Sequence, residues 1–193
     1  MDSTLQCPIV AGPNGAGKTT FALDYLMHET NCRSFINADM IAQGLSPLKP
    51  EAVQVKAGKL FLEELERHLK QRESFCFETT LSGSSYFQKI KQWKKDGWRI
   101  VLHYLWIPNA QFSALRVQEK VAQGGGHGIP QESILRRYNK SLCNLFRYLA
   151  ICNETMCYDN SDLNHPLIFT MAAGKVEVVN KKLYKSIQQA VRP

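Results

Sequence analysis

Residues Gly12-Pro13-Asn14-Gly15-Ala16-Gly17-Lys18-Thr19 spell a complete G-x-x-x-x-G-K-[ST] phosphate loop. The apolar run Pro8-Ile9-Val10-Ala11 leads into it, and a helical pattern, Phe21-Ala22-Leu23-Asp24-Tyr25-Leu26, leads out. Strand, loop and helix in that order are the context in which the motif has physical meaning. Glycines let successive backbone N–H groups turn inward around a phosphate, and the helix N-terminus adds its positive end. The stretch Gly12 to Thr20 is therefore the expected nucleoside-triphosphate contact. Lys18 would reach the β- and γ-phosphates, and the Thr19 hydroxyl would ligate Mg²⁺. The glycine spacing is not the G-x-G-x-x-G of a dinucleotide fold, which disfavours a dehydrogenase.

The chain has 193 residues, 44% hydrophobic and 21% charged, enough to bury one good core, so residues 1–193 read as a single domain. No apolar run approaches the roughly 20 residues that span a bilayer. Met1 to Gln6 lacks the basic region that precedes a secretory apolar stretch, and a cytoplasmic setting is expected. Six cysteines include no C-x-x-C pair, and Cys7 and Cys76 fall within strand patterns, where cysteine behaves as a small hydrophobe. The net charge is +7 without a tract of five basic residues, so a nucleic-acid partner is disfavoured.

Strand and helix signals alternate, the pattern of a parallel sheet covered on both faces. Strands are expected at Cys7–Ala11, Ser34–Asn37, Phe75–Phe77 and Trp98–Ile107, the last apolar enough for a central position. Helices are expected from the phosphate loop to about Met27, over Pro50–Gln71, Tyr86–Asp96, Ala110–Gln123 and Gln131–Cys152. Lys89, Lys91, Lys94 and Lys95 mark a solvated helix face. Tyr158–Ser161 reads as a turn, and Pro166–Thr170 with Val176–Val179 as a terminal hairpin. The fold class is α/β, doubly wound and mainly parallel, with a helical lid.

In a parallel sheet all strand C-termini lie at one edge, beside the phosphate loop. Two acids fall there: Asp39 after the second strand and Glu78 after the third. A carboxylate at that place can take a proton from an acceptor hydroxyl or hold Mg²⁺. The bland alternatives are an N-cap for Asp39 and an exposed loop acid for Glu78. Farther on, Arg116 and Lys120 share one helical face, the run Gln123-Gly124-Gly125-Gly126-His127-Gly128 forms a hinge, and Arg136-Arg137 approach from the next helix. Two basic helices about a glycine hinge, roughly residues 110–140, are how a lid is built, and lid cations can meet transition-state charge. His127 would act there or simply cap the loop.

The blocks Gly12–Thr20, Phe35–Asp39 with Gly44–Pro47, Phe77–Gly83, Tyr104–Pro108 and Arg116–Tyr138 together resemble the zeta-toxin family of P-loop kinases. The resemblance implies an ATP- and Mg²⁺-dependent kinase that phosphorylates the sugar of UDP-N-acetylglucosamine and is restrained by an epsilon-type antitoxin. It assigns Asp39 as catalytic base, Lys18 as the phosphate-loop lysine, Glu78 and Thr80 as sugar-nucleotide contacts, and Arg116, Arg136 and Arg137 as lid cations. Lys120 stands where relatives carry a second lid arginine, keeping charge without bidentate geometry. Relatives commonly carry an arginine in or just after the Glu-Thr-Thr-Leu-Ser-Gly block, whereas here Ser84-Ser85 follow it. The competing readings are a kinase of another small metabolite or nucleotide, and a non-enzymatic nucleotide-gated or nucleic-acid-binding module.

Overall fold

Strand β1 (Gln6–Ala11) is buried from Cys7 onward because it lies inside the sheet, between β3 (Cys76–Thr79) and β4 (Arg99–Trp106). The structure, a computed structural model, describes residues 4–26, 33–123, 128–162 and 164–191. Among these, β2 (Phe35–Ile36), β5 (Glu154–Asp159), β6 (Leu167–Ala172) and β7 (Lys175–Val178) complete a seven-stranded sheet in the order β2-β3-β1-β4-β5-β6-β7. The pairs from β2 to β5 are parallel, and the β5–β6–β7 edge is antiparallel. The expected mainly parallel α/β sheet is thus present, with its terminal hairpin. Every β4 residue beyond Arg99 is buried, as a doubly covered central strand requires.

Between these strands run α1 (Lys18–Phe21), α2 (Ala38–Leu45), α3 (Gln54–Gln71), α4 (Ser85–Lys95), α5 (Ala110–Ala122), α6 (Gln131–Leu149) and α7 (Lys181–Val191). Helix α3 follows a 3₁₀ turn at Pro50–Val53 and buries Ala57, Phe61, Leu65 and His68 along one face. On α4, Lys89, Lys91 and Lys95 are exposed, as the charge pattern indicated, while Lys94 donates to the Cys152 carbonyl. Cys7 and Cys76 lie in the core, and so do Phe75, Phe77, Tyr104 and Trp106. Among the described residues no helix is long and apolar enough to cross a membrane.

Four local readings need correction. The first helix keeps α-helical turns only to Phe21 and widens over Ala22–Leu26, and Met27 lies outside the described residues. The helix expected to reach Cys152 ends at Leu149, and β5 follows, consuming Tyr158 and Asp159 from the expected turn. Its sequence Glu-Thr-Met-Cys-Tyr-Asp has no apolar alternation, and its pairing with β4 supplies what local pattern does not. Helix α2 is started by Asn37, whose side chain accepts from the Asp39 and Met40 amides. Asn37, and not Asp39, is the cap. Helix α7 was not foreseen. Asn180 caps it through the Leu183 amide, and Ile187, Leu183, Tyr184 and Val191 pack on the core from among its lysines.

Candidate functional site

The phosphate loop turns at the end of β1, and the β1–β3 register sets Val10 opposite Glu78 and Ala11 opposite Thr79. Glu78 therefore reaches the loop from the neighbouring strand. Its carboxylate accepts from the Thr19 hydroxyl at 2.7 Å and from Asn37 Nδ2 at 2.6 Å, and lies 3.7 Å from Lys18 Nζ. Asn37 Nδ2 also approaches the Thr19 hydroxyl at 3.3 Å, so one amide holds two loop-facing oxygens while its own oxygen starts α2. Lys18 is 7% exposed and donates to the Pro13 carbonyl at 2.9 Å. Burial pushes its amine below the usual lysine range, and the Glu78 and Asp39 carboxylates act against that. The charge of Lys120 is also felt at Lys18 and lowers its pKa further.

Asp39 is exposed in the first turn of α2. Asp39, Glu78, Lys18 and Thr19 thus gather at the C-terminal edge of β1, β2 and β3, while Lys120 belongs to the last turn of α5. Thr80 lies one step beyond, its hydroxyl 2.9 Å from that of Ser82. The loop carrying it bends at Leu81, a buried residue with φ +56°, a left-handed conformation that costs a non-glycine residue about 1–2 kcal/mol. Asn144 of α6 secures the bend by donating to the Leu81 carbonyl at 2.7 Å and approaching that of Gly83 at 3.4 Å.

The cations expected to form a lid separate. Arg116 directs Nη1 to the Asn160 carbonyl at 2.6 Å and Nη2 to that of Ser161 at 3.1 Å, with its guanidinium 4.6 Å over the Phe112 ring. Arg136 is exposed and Arg137 half-buried, both in the turn of α6 before Tyr138, whose hydroxyl donates to the Ile107 carbonyl at 2.9 Å. Among the described residues, Arg136, Arg137 and Lys120 make no hydrogen bond or ion pair. Residues 124–127, three of the glycines and His127 of the expected hinge, lie outside the described residues.

Three contributors to the site were missed in the sequence: Asn37 as a bridge, Ser113 and Asn160. The Ser113 hydroxyl donates to the Asn14 carbonyl, and Asn160 Nδ2 donates to that of Ala16. Asn37 carried a signal, being an Asx residue at a strand-to-helix junction. Ser113 carried none.

A Mg²⁺ ion fits this donor set. Thr19 and Glu78 offer hard oxygens side by side, and among the described residues no group of three His, Cys, Asp or Glu could hold a metal alone. Mg²⁺ characteristically takes one or two protein ligands and completes its shell with water and substrate phosphates.

The strand order, the loop and the acids at one sheet edge define the fold of a P-loop kinase. A chain of the AvrRxo1-ORF1:AvrRxo1-ORF2 complex solved with sulphate ions superposes with a TM-score of 0.75 at 15% identity, over 98% of this chain. This chain spans 65% of that one, and the same complex with ATP superposes at 0.73. A chain of the PezAT chromosomal toxin–antitoxin system of Streptococcus pneumoniae aligns at 0.57 and 17% identity, covering 98% of this chain and 87% of its own length. No protein-family model matches the chain. A Haemophilus influenzae protein described only as uncharacterized is 30% identical over 127 residues, which is 66% of this chain and 88% of the relative. The chain belongs to one family with that protein, and its fold is that of the zeta-toxin-like P-loop kinases.

Proposed function

We propose that the protein is an ATP-dependent kinase of a small-molecule hydroxyl, with a UDP-sugar such as UDP-N-acetylglucosamine as acceptor. The observation that carries this reading is the convergence of a buried Lys18, the Thr19–Glu78–Asn37 network and the exposed Asp39 at one sheet edge. Lys18 would bind the β- and γ-phosphates. Thr19 would ligate Mg²⁺, and Glu78 would accept the hydrogen bond of the Thr19 hydroxyl or of a metal-bound water. Mg²⁺ supplies charge neutralisation on the phosphates when bound. Asp39, exposed in the first turn of α2, would accept the acceptor's hydroxyl proton as that oxygen attacks the γ-phosphorus and ADP leaves. Thr80 and the bend at Leu81 would shape the acceptor's seat. Lys120, Arg136 and Arg137 would meet charge developing on the transferring phosphoryl. The domain would span residues 1–193, its lid near 110–140, and an epsilon-type antitoxin is the proposed protein partner.

The test is transfer of label from [γ-³²P]ATP by purified protein to UDP-N-acetylglucosamine, to other UDP-sugars and to water alone. Label on a sugar nucleotide, lost in Asp39→Asn, is the expected result. Label appearing solely as inorganic phosphate would overturn the kinase reading and leave an NTPase.

A further inference from the structure

We infer that Asn160 is a positioning residue for the phosphate loop, clamping it from behind under the control of Arg116. The inference rests on the nucleotide-binding reading above and extends it to residues outside the motif. Asn160 is 4% exposed, and its Nδ2 lies 2.5 Å from the Ala16 carbonyl. Gly17 has φ +75°, and a Cβ there would stand 2.6 Å from that same nitrogen. The side chain of Asn160 therefore occupies the space that any residue but glycine would need at position 17.

The carbonyl that Asn160 holds belongs to the same peptide unit as the Gly17 amide. A trans peptide is planar, so its C=O and N–H point in opposite directions. Pinning the Ala16 oxygen on the outside of the loop thus fixes the Gly17 N–H toward the inside. Ser113 does the same two residues earlier, because the Asn14 carbonyl it holds shares a peptide unit with the Gly15 amide. Two amides of the phosphate cradle are set by side chains lying 99 and 144 residues farther along the chain.

Asn160 is itself held on both sides. Its backbone N–H donates to the Trp106 carbonyl at 2.8 Å, at the end of β4, and its backbone carbonyl accepts from Arg116. Ser113 and Arg116 lie nearly one turn apart on α5, the helix that enters the proposed lid. This helix therefore grips the loop directly through Ser113 and indirectly through Arg116 and Asn160. That arrangement gives Arg116 a role in positioning, whatever charge it also presents.

A cradle that has lost its set should lose grip on the β-phosphate and leave the nucleoside contacts alone. The measurement is fluorescence titration of the full chain with mant-ATP in Mg²⁺ and with mant-AMP, alongside thermal melting. Asn160→Ala should weaken mant-ATP roughly 10-fold, the loss of about one hydrogen bond, and mant-AMP less than 2-fold. Asn160→Asp keeps the packed shape but opposes oxygen to oxygen at Ala16, so it should show the same discrimination, at least as strongly, should the alanine variant fail to fold. Wild-type protein that does not bind mant-ATP would sink the nucleotide reading itself. Wild-type binding with unchanged affinity in both variants, or equal loss of both nucleotides, would overturn the positioning role.

Discussion

The two halves of the site are built differently. On the phosphate side, Lys18, Thr19, Asn37, Glu78, Ser113 and Asn160 are bound to one another or to loop carbonyls and are buried or half-buried. On the proposed acceptor side, Asp39, Lys120 and Arg136 are exposed, and the proposed lid cations other than Arg116 make no polar contact among the described residues. A cradle that is set before its ligand arrives loses little entropy on binding. Groups that stand in water must be brought together by the substrate they serve, which ties closure to acceptor binding. The contrast predicts that ATP affinity depends on the first half and turnover on the second.

The strongest challenge to that division is Lys18→Ala. Both quantities should collapse, with kcat/KM falling beyond the roughly 10²–10³-fold typical of one lost electrostatic donor. Nucleotide titration and turnover on the same preparation check this, and retained turnover would remove the phosphate loop from the chemistry. Asp39→Asn comes next. It keeps the shape, cannot accept a proton, and should cut kcat by roughly 10²–10⁴-fold while ATP affinity stays within about 2-fold.

Glu78 sits on the border and sharpens the comparison most. Its contacts are with Thr19 and Lys18, while its resemblance-based role is with the acceptor. Glu78→Gln should raise the Mg²⁺ concentration needed for half-maximal rate by about 10–100-fold, the usual effect of disturbing a ligand's partners. An unchanged Mg²⁺ curve with a raised acceptor KM would move Glu78 to the acceptor half. Arg136→Ala and Arg137→Ala should each lower kcat by about 10-fold with ATP affinity unchanged, since cations without a polar partner in the free protein act only once the proposed lid meets the phosphoryl group.

What could be read in the sequence follows the same border. The phosphate loop is a local object, eight consecutive residues between a strand and a helix, and it was legible in full. Asp39 and Glu78 were legible as acids at strand ends, because a parallel sheet gathers those ends at one edge. That Glu78 would touch Thr19 was not, since the contact depends on the β1–β3 register across 59 residues. Asn160 stayed hidden for a related reason. It follows β5, a strand whose polar residues are made extended by pairing with β4, and it acts on a loop at the other end of the chain. Arg116 was found by its position in a basic helix, yet its partners are carbonyls that no charge pattern displays.

The smallest effect concerns the core beneath the phosphate half. His103 lies mid-strand in β4, opposite Val10 of β1 and Met156 of β5, stacked 6.2 Å from the Tyr158 ring and 6.0 Å from that of Phe21. It is 4% exposed, and burial drives its pKa down to about 4. An unfolded histidine titrates near 6.5. Between those values the unfolded chain takes up a proton that the folded chain refuses, so stability is complete above about pH 6.5 and declines as pH falls toward 4. The loss attributable to this residue should be about 2 kcal/mol at pH 5. Urea unfolding at pH 7 and pH 5 for wild type and His103→Leu measures it, because other titrating groups are common to both proteins. The leucine variant should lose less stability between the two pH values by that amount. Matching losses in the two proteins would show that His103 is hydrated in the fold, and that the phosphate half rests on a looser core than its contacts describe.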